Sequence, residues 1–221
     1  MRAEARAAGP ALGELARQGV IPVLRFRSAE EALDAAGALY EAGFRVLELT
    51  MTVPGATELL PVLAERHPDA LVGAGTVLST AEAERSLAAG ARFLVSPCRV
   101  AGLADLCRET GAACLTGALT PSEVLAAWDE GVTAVKVFPA ASVGGPAHVK
   151  ALRSVMPHVP LVPTGGVTLA SVPEYLAAGA AAVGVGGELF DRSALREGRR
   201  ADAVAHARAF LEAARRAQGA A

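Results

Sequence analysis

The sequence contains very little lysine. It has 21 Lys plus Arg residues, and among them only Lys136 and Lys150 are lysines. Arginine keeps its proton in proteins, whereas lysine can lose its proton and then act as a nucleophile. Lys136 lies inside the apolar run AVKVFP, residues 134–139, where a charged group is least expected. The scarcity of lysine therefore makes Lys136 the first candidate for a chemical role.

Other absences narrow the range of functions. A net charge of −2 does not favour a nucleic-acid partner, and no apolar run reaches the roughly 20 residues that span a bilayer. Residues 1–18 mix charges of both signs and lack the apolar core of a signal peptide. Cys98, Cys107 and Cys114 lack metal-ligand spacing. We therefore expect a cytoplasmic protein with reduced thiols and no contact with nucleic acid or membrane.

Motifs for metals and cofactors are also missing. The four histidines, His67, His148, His158 and His206, show no HxH or HExxH spacing, and we expect each of them at the surface. A nucleotide-binding glycine fingerprint and a GxSxG nucleophile elbow are absent. We therefore expect neither a metal nor a cofactor.

Eight short apolar runs alternate with alanine-rich segments that carry helix signals, such as Ser28 before a helix and Gly43 after it. The runs begin about 20–27 residues apart, which suits a strand followed by a helix. They are VIPVLRF (20–26), VLELTM (46–51), LVGAGTV (71–77), FLVSP (93–97), ACLTGA (113–118), AVKVFP (134–139), LVPTGG (161–166) and AVGVGG (182–187). This alternation predicts an α/β protein, a (β/α)8 TIM barrel that occupies residues 1–221 as a single domain. An extra N-terminal helix, over about residues 3–18, is expected to cover the barrel floor.

Lys136 is predicted to point into the barrel. Side chains alternate along a strand, and Val135 and Val137 suit the outer face that packs on helices. Lowering the pKa of a buried lysine from about 10.4 to about 7 corresponds to roughly 4 kcal/mol of disfavoured charging. A neutral amine can attack a carbonyl to form a Schiff base. The alternative is a lysine that is simply paired with a carboxylate inside the barrel.

Glu48 shows the same anomaly with the opposite charge. In VLELTM, alternation places Glu48 inward and its two leucine neighbours outward. A carboxyl group there can act as the general acid and base that Schiff-base chemistry needs. Alternatively, Glu48 only neutralises Lys136 or Arg25. Both interpretations remain open from the sequence.

Glycine-rich segments close the seventh and eighth strands. These are PTGGV (163–167) and GVGGEL (184–189). The loops after these two strands form the usual phosphate site of this barrel, where glycine lets the backbone approach the anion. Plain turn geometry is the alternative. In VGAGT, we expect Gly73 and Gly75 to serve tight packing and Thr76 to be the candidate contact.

The ordered motifs resemble those of the 2-keto-3-deoxy-6-phosphogluconate (KDPG) / 4-hydroxy-2-oxoglutarate aldolase family. The similarity runs from about Gly19 to Phe190. It comprises GVIPVLR, VLELTMTVPGA, VGAGTVL, FLVSP, VKVFPA, PTGGV and VGVGGELF. The resemblance implies a metal-free class I aldolase of the Entner–Doudoroff pathway, a homotrimer of barrels. Such an enzyme splits a keto sugar acid phosphate into pyruvate and glyceraldehyde 3-phosphate.

The resemblance also implies roles for individual residues. Lys136 matches the lysine that forms the Schiff base, and Glu48 matches the general acid/base. The residues that match the surroundings of the pyruvate moiety are Thr76, Pro97 and Phe138. Those that match the far end of the substrate, including its phosphate, are Thr164, Gly165, Gly166, Gly186 and Gly187.

Two positions depart from the family pattern. Well-known members carry Arg four residues after the catalytic Glu, where it binds the pyruvate carboxylate, and this chain has Thr52 there. Arg25 could supply the missing charge. The phosphate loop of those members reads Gly-Gly-Ser, and here Glu188 follows the two glycines. Because a carboxylate repels phosphate, either Glu188 points away or the substrate is less anionic.

Two other functions remain compatible with the sequence. The chain could be a phosphate-binding barrel isomerase or synthase in which Lys136 is only an electrostatic group. It could also be a non-catalytic barrel that binds a sugar acid, for which Thr52 and Glu188 are the only support.

Overall fold

The computed structural model describes residues 10–219, and within them it contains eight β-strands and ten α-helices. The strands are β1 (Val20–Leu24), β2 (Val46–Thr50), β3 (Leu71–Gly75), β4 (Phe93–Val95), β5 (Ala113–Ala118), β6 (Ala134–Val137), β7 (Leu161–Pro163) and β8 (Val183–Val185). The helices are α1 (Pro10–Gln18), α2 (Ala29–Ala42), α3 (Ala56–Arg66), α4 (Thr80–Ala88), α5 (Leu103–Thr110), α6 (Pro121–Asp129), α7 (Pro146–Val155), α8 (Val172–Ala177), α9 (Arg192–Arg196) and α10 (Arg200–Gly219). Every strand lies within one of the eight apolar runs, so the strand prediction is confirmed.

The strands form one parallel sheet that closes into a barrel. Their order is β7-β6-β5-β4-β3-β2-β1-β8, and a parallel bridge between Thr164 and Gly184 joins the two edges. The predicted (β/α)8 TIM barrel is therefore confirmed. Its extent as a single domain over residues 1–221 stays a prediction, because residues 1–9 and 220–221 lie outside the described part of the chain.

Capping residues mark where several helices begin and end. The Ser28 side chain accepts a hydrogen bond from the Glu31 amide at the start of α2, and Gly43 ends that helix with a φ of 107°. The α6 helix begins at Pro121, and the Thr120 side chain accepts a hydrogen bond from the Glu123 amide at its start. None of the helices within residues 10–219 is both long enough and apolar enough to cross a membrane.

Two apolar layers hold the barrel together. The outer layer fills the space between the strands and the surrounding helices. The inner layer lies inside the barrel, where Leu12 and Leu15 of α1 pack with Ile21, Val46 and Phe93. These contacts confirm the floor helix over residues 10–18, and the rest of its predicted length falls outside the described residues. With its N-terminal end closed by α1, the barrel is open at the carboxyl ends of the strands.

Candidate active site

Lys136 lies on the inner face of β6. It pairs with Gly117 of β5 and Val162 of β7, and only 3% of its surface is exposed. Burial lowers the pKa of Lys136 below its ordinary value of 10.5, Glu48 opposes this shift, and Arg25 adds to it. Lys136 is therefore biased toward the neutral amine.

Glu48 lies on the inner face of β2 and is equally buried, with 2% of its surface exposed. Burial raises the pKa of Glu48 above 4.5, although Lys136 and Arg25 act in the opposite direction. Its Oε1 atom is buried and accepts no hydrogen bond from residues 10–219. Neither Glu48 nor Lys136 belongs to any ion pair within those residues. The pair is thus not a simple salt bridge, and a carboxyl oxygen is left available for a proton donor.

Glycines on the inner face make room for these side chains. A Cβ atom at Gly75 would lie 1.9 Å from Oε1 of Glu48. A Cβ at Gly73 would lie 2.4 Å from the ring of Phe93. The packing role expected for both glycines of β3 is therefore confirmed.

Arg25 places a positive charge close to the buried pair. It follows β1, is exposed, and its Nη2 atom donates a hydrogen bond of 3.1 Å to Oγ1 of Thr76. Thr76 has a φ of 58°, and no other residue besides glycine has a positive φ between residues 10 and 219. Such a backbone costs roughly 1–3 kcal/mol and is typical of functional sites. The strained turn therefore directs the threonine hydroxyl to the Arg25 guanidinium.

An open pocket of about 240 Å³ lies at the carboxyl end of the barrel. The glycine segments after β7 and β8 form part of its wall, with Gly165, Gly166, Gly186 and Gly187. The other predicted site residues that line it are Arg25, Phe138, Thr164 and Glu188. The ring centre of Phe138 lies 5.5 Å from Nζ of Lys136, which places the amine next to the pocket wall.

The remaining predicted site residues do not line this pocket. They are Glu48, Thr52, Thr76, Pro97 and Lys136. Thr52 is exposed, and its hydroxyl lies 2.8 Å from that of Thr50. Pro97 is half-buried, and its carbonyl oxygen would lie 2.0 Å from a Cβ atom at Gly117, the strand partner of Lys136. Pro97 therefore lies close to the strand partner of the amine, whereas Thr52 is exposed to solvent.

The pocket also contains residues that sequence reasoning did not select. These are Val23, Val167, Gly184 and Arg192. Alternation along β8 could have indicated Gly184, since a Cβ there would lie 2.3 Å from Oγ1 of Thr164. The sequence gave no reason to select Arg192, because it lies beyond the eighth apolar run and beyond the motifs that end at about Phe190.

One expectation about the histidines is wrong. His67 is buried, with 7% exposed, because its ring stacks on Tyr40 with centroids 4.4 Å apart. Burial lowers the pKa of His67 below 6.5. His148 and His206 are half-buried, and His158 is exposed as expected. None of the histidines lines the pocket.

Comparison with known proteins connects this geometry to one family. Residues 13–206 match the family model described as KDPG and KHG aldolase. The 2-dehydro-3-deoxy-phosphogluconate aldolase of Pseudoalteromonas atlantica is 36% identical over 157 residues, which cover 71% of this chain and 73% of that protein. A probable 2-dehydro-3-deoxy-6-phosphogalactonate aldolase of Rhizobium meliloti is 36% identical over 173 residues, 77% of this chain and 81% of that protein.

A solved structure is similar over nearly the whole barrel. It is the KDPG aldolase of Legionella pneumophila with pyruvate captured as a covalent carbinolamine intermediate. The TM-score is 0.79 with 32% sequence identity, over 92% of this chain and 95% of that one.

Proposed function

The chain belongs to the family of KDPG and KHG (4-hydroxy-2-oxoglutarate) aldolases, which are aldehyde-lyases, and we propose that Lys136 is its Schiff-base residue. The substrate is KDPG or a related 2-keto-3-deoxy sugar acid or KHG, and the products are pyruvate and an aldehyde such as glyceraldehyde 3-phosphate. The observation that carries this proposal is a buried amine, biased toward its neutral form, beside a buried carboxyl group with a free oxygen.

The first half of the reaction forms the imine. The lone pair of the Lys136 amine attacks the keto carbon, and a carbon–nitrogen bond forms while the keto oxygen takes a proton from Glu48. In the resulting carbinolamine, Glu48 takes a proton from the nitrogen and gives it to the new hydroxyl, which leaves as water, so that an iminium ion and the Glu48 carboxylate remain. The raised pKa of Glu48 favours the protonated carboxyl group, which is the form that donates the proton to the keto oxygen.

The second half breaks the carbon–carbon bond. The Glu48 carboxylate takes the proton of the hydroxyl on C4, directly or through a water molecule, and the C3–C4 electron pair moves toward the iminium nitrogen. The aldehyde leaves, and an enamine remains on Lys136. Glu48 returns a proton to C3, and hydrolysis of the iminium releases pyruvate and the free amine.

Arg25 is proposed to face the carboxylate of the keto acid. Two features support this role: Arg25 lines the pocket, and its charge affects the pKa values of both Lys136 and Glu48. It would replace the arginine that other family members carry at the position of Thr52. Thr76, which holds the guanidinium, would then act on the carboxylate through Arg25.

The glycine segments are proposed to hold the far end of the substrate. Amides of Gly166 and Gly186 donate to no other backbone group within residues 10–219. Free amides beside a pocket can bind anionic oxygens. Thr164, Gly165 and Gly187 would complete this end of the site.

Reductive trapping tests the proposal. Incubation with pyruvate and borohydride should attach pyruvate covalently to Lys136, as read from the intact mass and a peptide digest. Lys136→Ala should abolish both the adduct and the cleavage of KDPG. The activity of the wild type should survive EDTA. Lys150→Ala is the matched control, because Lys150 is exposed on α7 and should be dispensable.

Lys136→Arg separates imine chemistry from a purely electrostatic role. Arginine keeps the charge but cannot form the imine, so this variant should be inactive. Retained activity would contradict the proposal and would favour an isomerase or synthase that needs only the charge.

The assembly and location are also proposed. We propose a cytoplasmic homotrimer, and the exposed Leu78 and Leu125, at 55% and 47% exposure, offer apolar surface for contacts between subunits. Light scattering should then give three times the chain mass of 22.4 kDa. A mass equal to one chain would contradict the trimer.

A further inference from the structure

The pocket is lined by two opposite charges that the imine mechanism does not use. Arg192 and Glu188 both line the pocket, and both are exposed. Neither belongs to an ion pair within residues 10–219. Their charges are therefore free to act on a ligand.

The Arg192 guanidinium is held in place from two sides. Its Nη2 atom donates a hydrogen bond of 2.7 Å to the carbonyl oxygen of Arg25. Its Cζ atom also lies 4.7 Å from the ring centre of Phe26. A guanidinium has five N–H donors, so most of them remain available. Because the side chain is already oriented, binding an anion there loses little conformational entropy.

Glu188 is fixed through its backbone rather than its side chain. Its carbonyl oxygen lies 2.8 Å from Nε2 of His206, while the carboxylate is exposed. A carboxylate at this position repels an anionic group in the same pocket. Among the described residues, Arg25 and Arg192 are the two cations that line the pocket. Because the Arg25 guanidinium is engaged with Thr76, Arg192 is the one that can offset the Glu188 charge.

From these contacts we propose that Arg192 determines specificity by binding the terminal phosphate ester of the substrate, and that Glu188 weakens this binding. The inference rests on the proposed aldolase function. It assigns one cation to each of the two anionic groups of the substrate, Arg25 to the carboxylate and Arg192 to the phosphate. A substrate without the phosphate gains nothing from Arg192.

Paired substrates test this assignment. Arg192→Gln should raise KM for KDPG about 10- to 100-fold, the effect of losing a charge-assisted hydrogen bond, while KM for the unphosphorylated acid and both kcat values stay nearly unchanged. Arg192→Lys should give an intermediate KM, and Glu188→Gln should lower KM for KDPG. Arg196→Gln is the matched control, since Arg196 lies exposed on the same helix, outside the pocket.

A second readout shows whether Arg192 binds the phosphate itself or only positions Arg25. Deuterium exchange of the pyruvate methyl protons, followed by NMR, requires only the inner end of the site and should be unchanged in Arg192→Gln. Slower exchange, or an equal loss with both substrates, would overturn the proposal.

A third readout does not depend on imine chemistry. 6-Phosphogluconate, which has no keto group, should raise the melting temperature of the wild type more than gluconate does. This difference should persist in Lys136→Ala and shrink in Arg192→Gln, where only the glycine amides remain to bind the phosphate. Equal stabilisation of wild type and Arg192→Gln would overturn the role of Arg192, whereas failure of borohydride trapping would overturn only the aldolase function.

Discussion

Lys136 and Glu48 are buried, and their pKa values are displaced toward the neutral amine and the neutral acid. In the unfolded chain at neutral pH both groups are charged and hydrated. Folding must therefore desolvate two charges without a direct ion pair between them. Such an arrangement favours the reactivity of the two groups and lowers the folding stability of the protein.

Replacing this pair should stabilise the protein. We expect the double variant Glu48→Gln/Lys136→Met to be inactive and more stable than the wild type by about 1–4 kcal/mol at pH 7, because apolar or neutral groups of similar size avoid the desolvation penalty. Urea unfolding followed by circular dichroism measures the difference. A less stable double variant would show that the two charges support the fold.

The gain should depend on pH in a defined direction. The raised pKa of Glu48 destabilises the fold as pH rises through its folded value, and this part vanishes below the unfolded value near 4.5. The lowered pKa of Lys136 destabilises the fold below the unfolded value near 10.5. The advantage of the double variant should therefore shrink, but persist, when the pH falls below 4.5.

The β3 strand shows how the backbone makes space for a side chain on its neighbour. Gly73 and Gly75 both face inward, but they accommodate different groups, Phe93 and Glu48. The two glycines of VGAGT therefore make room for different side chains, the Phe93 ring at Gly73 and the Glu48 carboxyl group at Gly75.

Substitutions at these two glycines should separate stability from activity. Gly75→Ala should displace Glu48 and lower kcat by about 100-fold or more, with a loss of roughly 1–3 kcal/mol in stability. Gly73→Ala is the matched control on the same strand, and it should lose stability while kcat changes little. Steady-state kinetics and urea unfolding distinguish the two variants. Similar kcat values for both would contradict the role assigned to Gly75.

The barrel as a whole separates stability from chemistry at its two ends. The α1 helix closes the N-terminal end through Leu12 and Leu15, while the pocket opens at the carboxyl ends of the strands. Changes at the floor should therefore reduce stability and leave the substrate site intact.

Leu15→Ala tests this separation. Leu15 is fully buried, so the cavity should cost about 2–5 kcal/mol of unfolding free energy. KM and kcat measured at low temperature, where the variant stays folded, should match those of the wild type. A changed KM in folded protein would show that the floor and the pocket are coupled.

Sequence periodicity was sufficient to predict the barrel, its eight strands, and the inward direction of Lys136 and Glu48. These properties follow from short-range rules, since side chains alternate along a strand and apolar runs mark buried strands. The buried position of His67 was not predictable in this way, because it depends on stacking against Tyr40 from another helix.

The amino-acid sequence alone determined the architecture and the two buried groups, Lys136 and Glu48, that are proposed to carry the chemistry. Closure of the barrel determined which distant side chains meet: the Arg25 side chain reaches Thr76 across 51 residues, and the Arg192 side chain reaches the Arg25 carbonyl across 167 residues. Such contacts carry no local signature, because the first depends on the neighbouring positions of β1, β2 and β3 and the second on where the last strand joins the first. The position of the Arg192 charge beside the pocket was therefore visible only once the chain was folded.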